Sequence, residues 1–342
     1  MNPLLIRADA GGSLGAGHVM RMVALAQAWI GQGGNVTLAS IECPGKFVER
    51  VQEEGITHSK LGAPDIGTED DSTETIALAK KLGCQWVVLD GYCFRKDYQK
   101  AVSGSGLKLL VMDDFLYSPQ WEADLIVNQN PNCNPNLYLN SKHPAKVLCG
   151  ADYVLLRREF WRIPDVETRN SGTIRVAITM GGIDADNLTR AMIEALEEMI
   201  RDPLEIRVII GAGNPHKTSL KPLFEGSRHS ITCFSDVRDM SHMYAWADTV
   251  ISAAGGTVWE WLRYGHCGGF VIAAENQEGL GQWLTREKLG MQLGYCRNGR
   301  VSIDKLALKR WLLPGEKTRR LFQEPRVDGQ GAKRIVDCML ES

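Results

Sequence analysis

Short apolar runs alternate with amphipathic helical patterns along this chain, and the alternation starts afresh in the second half of the sequence. Parallel sheets with crossover helices have this order of elements. Strands are predicted at residues 4–9, 36–40, 86–90, 107–112, 125–127, 174–180, 205–210, 231–234, 249–252 and 270–273. Helices are predicted at residues 19–29, 47–54, 73–82, 188–200, 240–247, 257–264 and 279–289. The pattern therefore predicts an α/β protein with two doubly wound sheets.

The length of the chain favours two domains. Its 342 residues exceed the roughly 250–300 residues at which a single hydrophobic core stops growing. We predict a Rossmann-like N-terminal domain at 1–160 and a second Rossmann-like domain at 172–325, joined by a linker at 161–172. Residues 326–342 have the pattern of a turn and a final helix. We expect the two domains to face each other across a cleft, with a ligand at the carboxyl ends of both sheets.

Charge, hydropathy and cysteine usage exclude several classes of protein. The 39 basic and 41 acidic residues nearly cancel, so no basic surface for nucleic acid is expected. No apolar run approaches the roughly 20 residues of a membrane helix, and Arg7 and Asp9 interrupt the first apolar stretch, so neither membrane insertion nor a signal peptide is expected. The nine cysteines are scattered, which predicts buried, reduced thiols in a cytoplasmic protein.

A glycine-rich loop at residues 11–17 follows the first predicted strand and leads into a helix. Glycines let the backbone approach a ligand closely, and a helix N-terminus attracts anions. The dinucleotide fingerprint G-x-G-x-x-G does not fit, because Met20 stands where its last glycine would follow Gly15 and Gly17. The looser spacing Gly11-x3-Gly15-x-Gly17 matches the loop of short-chain dehydrogenases, but the strand at 36–40 ends without the acid that would bind a ribose, which argues against that family. Gly17 remains a candidate for supporting a bound substrate.

His18 lies in the first turn of this predicted helix, and Arg21 lies on the same helical face. A helix N-terminus disfavours a charged imidazolium, so we expect a neutral ring that can act as a base. The alternative is that His18 only caps or packs the turn. Arg21 could bind a ligand anion or pair with an acid such as Asp9, and the sequence leaves both open.

Polar side chains follow three strands of the first half. Asp113 and Asp114 follow one strand, Tyr92 stands two residues beyond another, and Asn128 follows a third. The carboxyl ends of parallel strands share one edge of a sheet, where α/β sites lie. These groups could orient a histidine or bind sugar hydroxyls; the alternative is a helix cap and a solvated acid.

Three strand ends of the second half carry glycines, amides or acids. The candidate nucleotide-binding residues there are Gly181, Gly182, Asp184, Gly255, Gly256, Thr257, Glu260, Asn276 and Gln277. Backbone N–H groups of the turn 255–257 could cradle a diphosphate, and Glu260 could bind a ribose diol. Each could also be an ordinary helix cap. No P-loop is present and no acid cluster calls for a metal, so neither metal nor cofactor is expected.

Several blocks together resemble the UDP-2,4-diacetamido-2,4,6-trideoxy-β-L-altropyranose hydrolase family of the pseudaminic acid pathway. The blocks are IRAD at 6–9, GAGHVMR at 15–21, MDD at 112–114, CGADYVLLRREF at 149–160, MGGIDADN at 180–187, ISAAGGTVWE at 251–260 and ENQ at 275–277. The resemblance covers residues 4 to 295. It implies the GT-B fold and a relation to the N-acetylglucosaminyltransferase of peptidoglycan synthesis. In GT-B proteins the final helix often packs back onto the first domain.

The resemblance also implies a reaction. His18 matches the catalytic histidine of the family, which activates water to release UDP from a UDP-linked sugar with inversion and without a metal. The chain departs from the family at Asp90-Gly91-Tyr92, where relatives have an acid–histidine pair, and at Gly255-Gly256. A hydrolase of another nucleotide sugar, a GT-B glycosyltransferase and a non-catalytic nucleotide-sugar-binding protein remain alternatives. We expect a monomer or weak dimer.

Overall fold

The computed structural model describes residues 1–11, 16–139, 145–163, 172–312 and 326–341. The chain forms two compact units. Unit 1 comprises Met1–Arg158 and Gly329–Ser342, and unit 2 comprises Glu159–Asp328. Most of the predicted linker, residues 164–171, lies outside the described residues.

Unit 1 is built on one parallel sheet. Its elements up to residue 158 are β1 (Leu4–Ala8), α1 (Gly17–Gly31), β2 (Val36–Ser40), α2 (Gly45–Glu53), β3 (Thr57–Lys60), α3 (Glu69–Leu82), β4 (Trp86–Asp90), α4 (Lys96–Gly104), β5 (Lys108–Met112), β6 (Leu125–Asn128) and β7 (Lys146–Cys149), with single 3-10 turns at Pro135–Tyr138 and Ala151–Tyr153. The strand order is β3-β2-β1-β4-β5-β6-β7, and every pair is parallel. The central strands β1 and β4 are buried along their whole length because helices cover both faces.

Unit 2 repeats this plan with an added hairpin. Its elements are β8 (Arg175–Thr179), α5 (Leu188–Met199), β9 (Glu205–Ile210), α6 (Lys217–Glu225), β10 (Ser230–Ser235), α7 (Ser241–Trp246), β11 (Thr249–Ala253), α8 (Thr257–Arg263), β12 (Gly268–Ile272), α9 (Glu278–Arg286), β13 (Gly290–Arg297), β14 (Arg300–Ile303) and α10 (Lys305–Leu312), with a 3-10 turn at Glu275–Gln277. The strand order is β10-β9-β8-β11-β12-β13-β14, and only β14 is antiparallel to its neighbour.

The strand order reverses direction once in each sheet. In unit 1 the chain builds outward from β1 to β3 and then returns to add β4 on the other side of β1; in unit 2 the same happens between β8 and β11. Ligands of open α/β sheets bind outside the carboxyl ends of the strands at such a switch point. A ligand site is therefore expected at the loops after β1, β4, β8 and β11.

The structure contains four strands and three helices that the apolar pattern did not predict. These elements are β3, β7, β13, β14, α4, α6 and α10. The edge strand β3 reads THSK and is half-exposed, so it has no apolar run. In β13 a Cβ on Gly294 would stand 2.3 Å from the Ser302 carbonyl oxygen, so this glycine permits close strand pairing rather than marking a turn.

The final helix, α11 (Gly331–Glu341), belongs to unit 1 and packs against α1. A Cβ on Gly331 would lie 2.2 Å from the Val154 carbonyl oxygen, so only glycine fits there. Arg334 Nη1 donates to the Asp152 carbonyl oxygen at 2.8 Å. The two segments of unit 1 are thus joined by close backbone packing.

The prediction of reduced, buried cysteines is wrong for one pair. Cys133 and Cys149 form a disulfide, with their Cα atoms 5.5 Å apart. One lies in the loop after β6 and the other ends the adjacent strand β7, so the parallel pairing brings them together. Of the other cysteines, Cys93 and Cys233 are exposed, whereas Cys84 and three more are buried.

No helix among the described residues is long and apolar enough to cross a membrane.

Candidate active site

His18 is the second residue of α1 and is buried at the carboxyl end of β1, beside the switch point of unit 1. Residues 12–15 of the glycine loop before it lie outside the described part of the chain. The His18 Nδ1 atom is 2.7 Å from Asp90 Oδ1 and 3.4 Å from Arg21 Nη2. The contact with the carboxylate is much the shorter of the two, so Asp90 is the principal partner of the imidazole.

Asp90 ends β4 and is fully buried. Arg21 donates to both of its oxygens, from Nε to Oδ2 at 2.6 Å and from Nη2 to Oδ1 at 2.5 Å. Burial by itself would raise the pKa of Asp90, but Arg21 and His18 outweigh it and hold this pKa well below the usual range. Because the carboxylate is ionised and can only accept, we assign the proton of His18 to Nδ1, which leaves the lone pair on Nε2.

Arg21 is an ion-pair residue in this arrangement. Its Nη1 donates to Asp114 Oδ1 at 2.7 Å, in addition to the two bonds to Asp90. Burial would lower the pKa of Arg21, but Asp114 and Asp90 raise it well above its ordinary value. Of the two roles that the sequence left open, Arg21 thus pairs with acids, but not with Asp9, which pairs with the buried Arg7.

Asp114 connects the Arg21 side chain, which lies beside His18, to the aromatic residue Tyr92. Its Oδ2 accepts a hydrogen bond from the Tyr92 hydroxyl at 2.7 Å, and its carbonyl oxygen accepts one from Asn130 Nδ2 at 2.6 Å. The Tyr92 ring meets the His18 ring edge-on, with centroids 4.9 Å apart. The ends of β4 and β5 therefore hold Tyr92 against the imidazole.

Asp113, the neighbour of Asp114, organises the loop after β5. It is fully buried, and its carboxylate accepts the backbone N–H groups of residues 115–117 at 3.0–3.4 Å. Asn128 Nδ2 and the Tyr138 hydroxyl donate to its Oδ2 at 3.1 and 2.5 Å. Asp113 and Asn128 are thus bonded to each other and to protein groups around this loop.

The other predicted residues of unit 1 lie nearby on the same sheet edge. Asp9 Oδ1 accepts the backbone N–H groups of Ile41 and Glu42 at 2.8 and 2.9 Å, so Asp9 fixes the loop after β2. Gly17 is exposed at the start of α1. A cavity of about 370 Å³ opens at the ends of β1, β2 and β3. Its lining residues include Gly11, Ser40, Glu42, His58 and Lys60.

In unit 2 the loops after β8 and β9 come into backbone contact. Gly181 has φ +91°, and the Gly213 N–H donates to the Gly182 carbonyl oxygen at 2.9 Å. A Cβ on Gly211 would stand 2.4 Å from that same oxygen. Asp184 accepts the backbone N–H groups of Leu188 and Thr189 and so caps α5, and burial raises its pKa.

The ends of β11 and β12 bring the remaining predicted residues of unit 2 together. Thr257 begins α8, with Gly256 as its N-cap, and Gln277 Nε2 lies 3.4 Å from the position of a Cβ on Gly255. Gln277 Oε1 accepts the Ala273 N–H at 2.9 Å, and Asn276 is exposed in the same turn. Glu260 Oε2 accepts a hydrogen bond from the Tyr244 hydroxyl at 2.8 Å.

Sequence reasoning missed two contacts of the candidate site. Asp90 was recognised as a strand-end residue but not as the partner of His18, and Tyr244 was not recognised beside Glu260. The acid at the end of the strand next to β1 was the available indication, but the pairing joins residues 72 positions apart. In the described residues no cluster of three or more histidines, cysteines or acids could hold a metal ion.

Comparison with known proteins covers both units. Residues 175–282 match the model of the glycosyltransferase family 28 C-terminal domain. The UDP-2,4-diacetamido-2,4,6-trideoxy-beta-L-altropyranose hydrolase of Campylobacter jejuni is 23% identical over 295 residues, which cover 85% of this chain and 99% of that protein. An uncharacterized protein of Methanocaldococcus jannaschii is 23% identical over 269 residues; the match covers 77% of this chain and about half, 54%, of that relative.

Solved structures establish the fold. MurG of Acinetobacter baumannii superimposes with a TM-score of 0.66 at 17% identity, covering 100% of this chain and 99% of MurG. The UDP-GlcNAc 2-epimerase of Neisseria meningitidis has a TM-score of 0.61 at 11% identity, with complete coverage of both chains (100%). The chain therefore has the GT-B fold, with two Rossmann-like α/β units, as the sequence predicted.

Proposed function

We propose that this protein hydrolyses a UDP-activated 2,4-diacetamido-2,4,6-trideoxy sugar to UDP and the free sugar, with His18 as the general base. The observation that carries the proposal is the 2.7 Å hydrogen bond from His18 Nδ1 to the buried Asp90, which leaves Nε2 as a proton acceptor at the switch point of unit 1. The name of the Campylobacter jejuni relative supports the choice of substrate.

The reaction begins with a water molecule next to His18 Nε2. As its oxygen forms a bond to the anomeric carbon, its proton passes to Nε2. The bond between the anomeric carbon and the diphosphate oxygen breaks, and its electron pair leaves with UDP. Because attack and departure occur on opposite faces, the anomeric configuration inverts.

The charges around His18 favour this proton transfer. Asp90 and Asp114 carry two negative charges and Arg21 carries one positive charge, so this buried group has a net charge of −1 before the reaction. Protonation of His18 brings the group to zero. The imidazolium that forms is therefore stabilised by a carboxylate already in place, as in hydrolases that use an acid–histidine pair.

Unit 2 supplies the nucleotide-binding residues of the proposal. Backbone N–H groups of the turn 255–257, at the start of α8, stabilise the negative charge of the departing diphosphate. Glu260 binds the ribose diol, and the Tyr244 hydroxyl fixes the orientation of its carboxylate. Asn276 and Gln277, in the neighbouring turn, bind the phosphate or sugar side.

A glycosyltransferase is the second candidate, because residues 175–282 match a glycosyltransferase domain model. In that reaction His18 takes its proton from an acceptor hydroxyl instead of from water. The two candidates share the sugar donor and the base. They differ in whether UDP is released without an acceptor.

The test is UDP release from a panel of UDP-sugars that includes the diacetamido-trideoxy altropyranose, with EDTA present and no acceptor. His18→Ala removes the base, and His242→Ala serves as the matched control because His242 is 71% exposed in unit 2. We expect release by the native protein and by the His242 variant, and at least a thousandfold loss for the His18 variant. NMR of the first product formed reports the anomeric configuration. No release from any sugar by a folded protein that binds UDP would refute the hydrolase.

A further inference from the structure

The loop after β5 exposes two large apolar side chains, and one of them packs on Tyr92, the aromatic neighbour of His18. Phe115 is 51% exposed and Leu116 is 39% exposed. The Phe115 ring packs on Tyr92 with centroids 4.7 Å apart, and Tyr92 in turn packs on His18. Exposed apolar side chains in such a position are typical of a surface on which a ligand packs.

The loop is held in this conformation by an interior carboxylate. Leu116 has φ +60°, in the left-handed region that leucine seldom occupies. Asp113 maintains it by accepting three consecutive N–H groups, and Tyr138 and Asn128 hold the carboxylate itself. A strained backbone that a buried network keeps in place, next to a reactive group, indicates a functional surface.

Most side-chain polar groups near this surface are hydrogen-bonded to one another, and the Tyr117 hydroxyl, which has no hydrogen-bond partner among the described residues, is buried. The Asp114 carboxylate accepts from Arg21 and Tyr92, and Asn130 Nδ2 donates to the Asp114 carbonyl oxygen. The surface therefore presents carbon atoms to a ligand. A methyl group gains free energy by packing here, whereas a hydroxyl group would lose water without gaining a partner.

We propose that Phe115 and Leu116 form a specificity surface that contacts the C6 methyl group of the substrate sugar and disfavours its 6-hydroxy counterpart. This inference rests on the proposed function for the identity of the sugar nucleotide. The substrate named for the Campylobacter jejuni relative is a 2,4,6-trideoxy sugar, which lacks a hydroxyl at C6. An apolar wall discriminates against an added hydroxyl by about tenfold to a hundredfold.

The test compares two UDP-sugars that differ only in hydrogen or hydroxyl at C6. Native protein, Phe115→Ala, Phe115→Leu and Leu306→Ala are assayed for kcat/KM, and each substitution is repeated in a His18→Ala background for Kd by calorimetry. Leu306 is the matched control, because it is 68% exposed on α10 of unit 2. Phe115→Leu keeps a large apolar side chain in the specificity surface. It also keeps the test possible if the Phe115→Ala protein does not fold.

We expect the native protein to prefer the 6-deoxy sugar by at least tenfold, in kcat/KM and in Kd. Phe115→Ala should reduce the preference below threefold, while Phe115→Leu and Leu306→Ala retain it. Equal use of both sugars by the native protein, or an unchanged preference in a folded Phe115→Ala variant, would overturn the inference and leave hydrolysis intact. A Phe115-dependent preference in Kd without any UDP release would refute hydrolysis and uphold the inference. Binding of neither sugar would overturn both.

Discussion

Replacing Asp90 with asparagine tests the base directly, because the new side chain has the same size but no charge. The imidazolium formed during the reaction would lose its carboxylate partner, now 2.7 Å from Nδ1. Two unit charges about 4 Å apart at an effective dielectric constant of about 20 interact by about 4 kcal/mol. Since about 1.4 kcal/mol corresponds to a factor of ten, kcat should fall by about a thousandfold.

Two structural features make this a lower bound. Arg21 Nη2 lies 3.4 Å from His18 Nδ1, so without Asp90 its charge would oppose protonation of the ring. An asparagine amide could also donate to Nδ1 and move the imidazole proton to Nε2, which would remove the base. KM should change less than threefold, because Asp90 is buried behind His18 and makes no contact with solvent.

The assay is steady-state release of UDP from the diacetamido-trideoxy sugar nucleotide, with kcat and KM determined from pH 5 to 9. Asp97→Asn is the matched control, since Asp97 is an exposed acid on α4 of the same unit. A folded Asp90→Asn protein with more than a tenth of the native kcat would refute the assignment of Asp90 as the partner of the base.

Three further predictions concern stability. Arg21→Ala leaves the buried Asp90 without its cation and should lower the free energy of unfolding by about 3–5 kcal/mol, measured by urea denaturation at pH 7. Burial lowers the pKa of His229, so the folded state resists protonation of this side chain. The free energy of unfolding of the native protein should therefore decrease as the pH drops below about 6.5. Between pH 7.5 and 5.5 the His229→Gln variant should lose less of its free energy of unfolding than the native protein does. Cys133→Ser opens the disulfide to Cys149, whose 16-residue separation implies a loss of about 3 kcal/mol.

For each of the three variants the control is the same substitution at an exposed residue of the same type. These controls are Arg95→Ala, His242→Gln and Cys93→Ser. Equal urea midpoints for Arg21→Ala and Arg95→Ala would contradict the buried ion pair. If the His229→Gln protein loses as much stability on acidification as the native protein, His229 is not a cause of that loss. Native protein whose midpoint is unaffected by a reducing agent would contradict the stabilising disulfide.

Fold class followed from the sequence because it depends on local pattern. The buried run of β4, Trp86–Asp90, has apolar side chains on both faces, and this pattern predicts a strand covered by helices. The edge strand β3, Thr57–Lys60, was not predicted, because an edge strand that is exposed on both sides needs no apolar side chains. Backbone pairing with β2 holds β3 in the sheet. This pairing does not require particular side chains, so the amino-acid sequence does not reveal it.

The candidate site was predicted in part for the same reason. Polar residues near strand ends could be assigned to the carboxyl edges of the sheets from their position in the sequence alone, such as Asp114 after β5 and Glu260 in the first turn of the helix that follows β11. Which of them meet could not be assigned. Asp113 and Asp114 are neighbours with the same side chain, yet one is buried beneath a loop and the other pairs with Arg21, because successive residues leave a strand in opposite directions.

The sequence by itself determined that this protein has two α/β units built mainly from parallel strands. It also determined that His18 stands at a helix N-terminus after the first strand. Both features are set by contacts among residues close in the chain. The tertiary structure decided that Asp90 faces His18 and that Cys133 meets Cys149. Both pairings depend on which strands lie side by side. Strand order is settled by the packing of the whole sheet, so a partner 72 residues away is visible only in the folded chain.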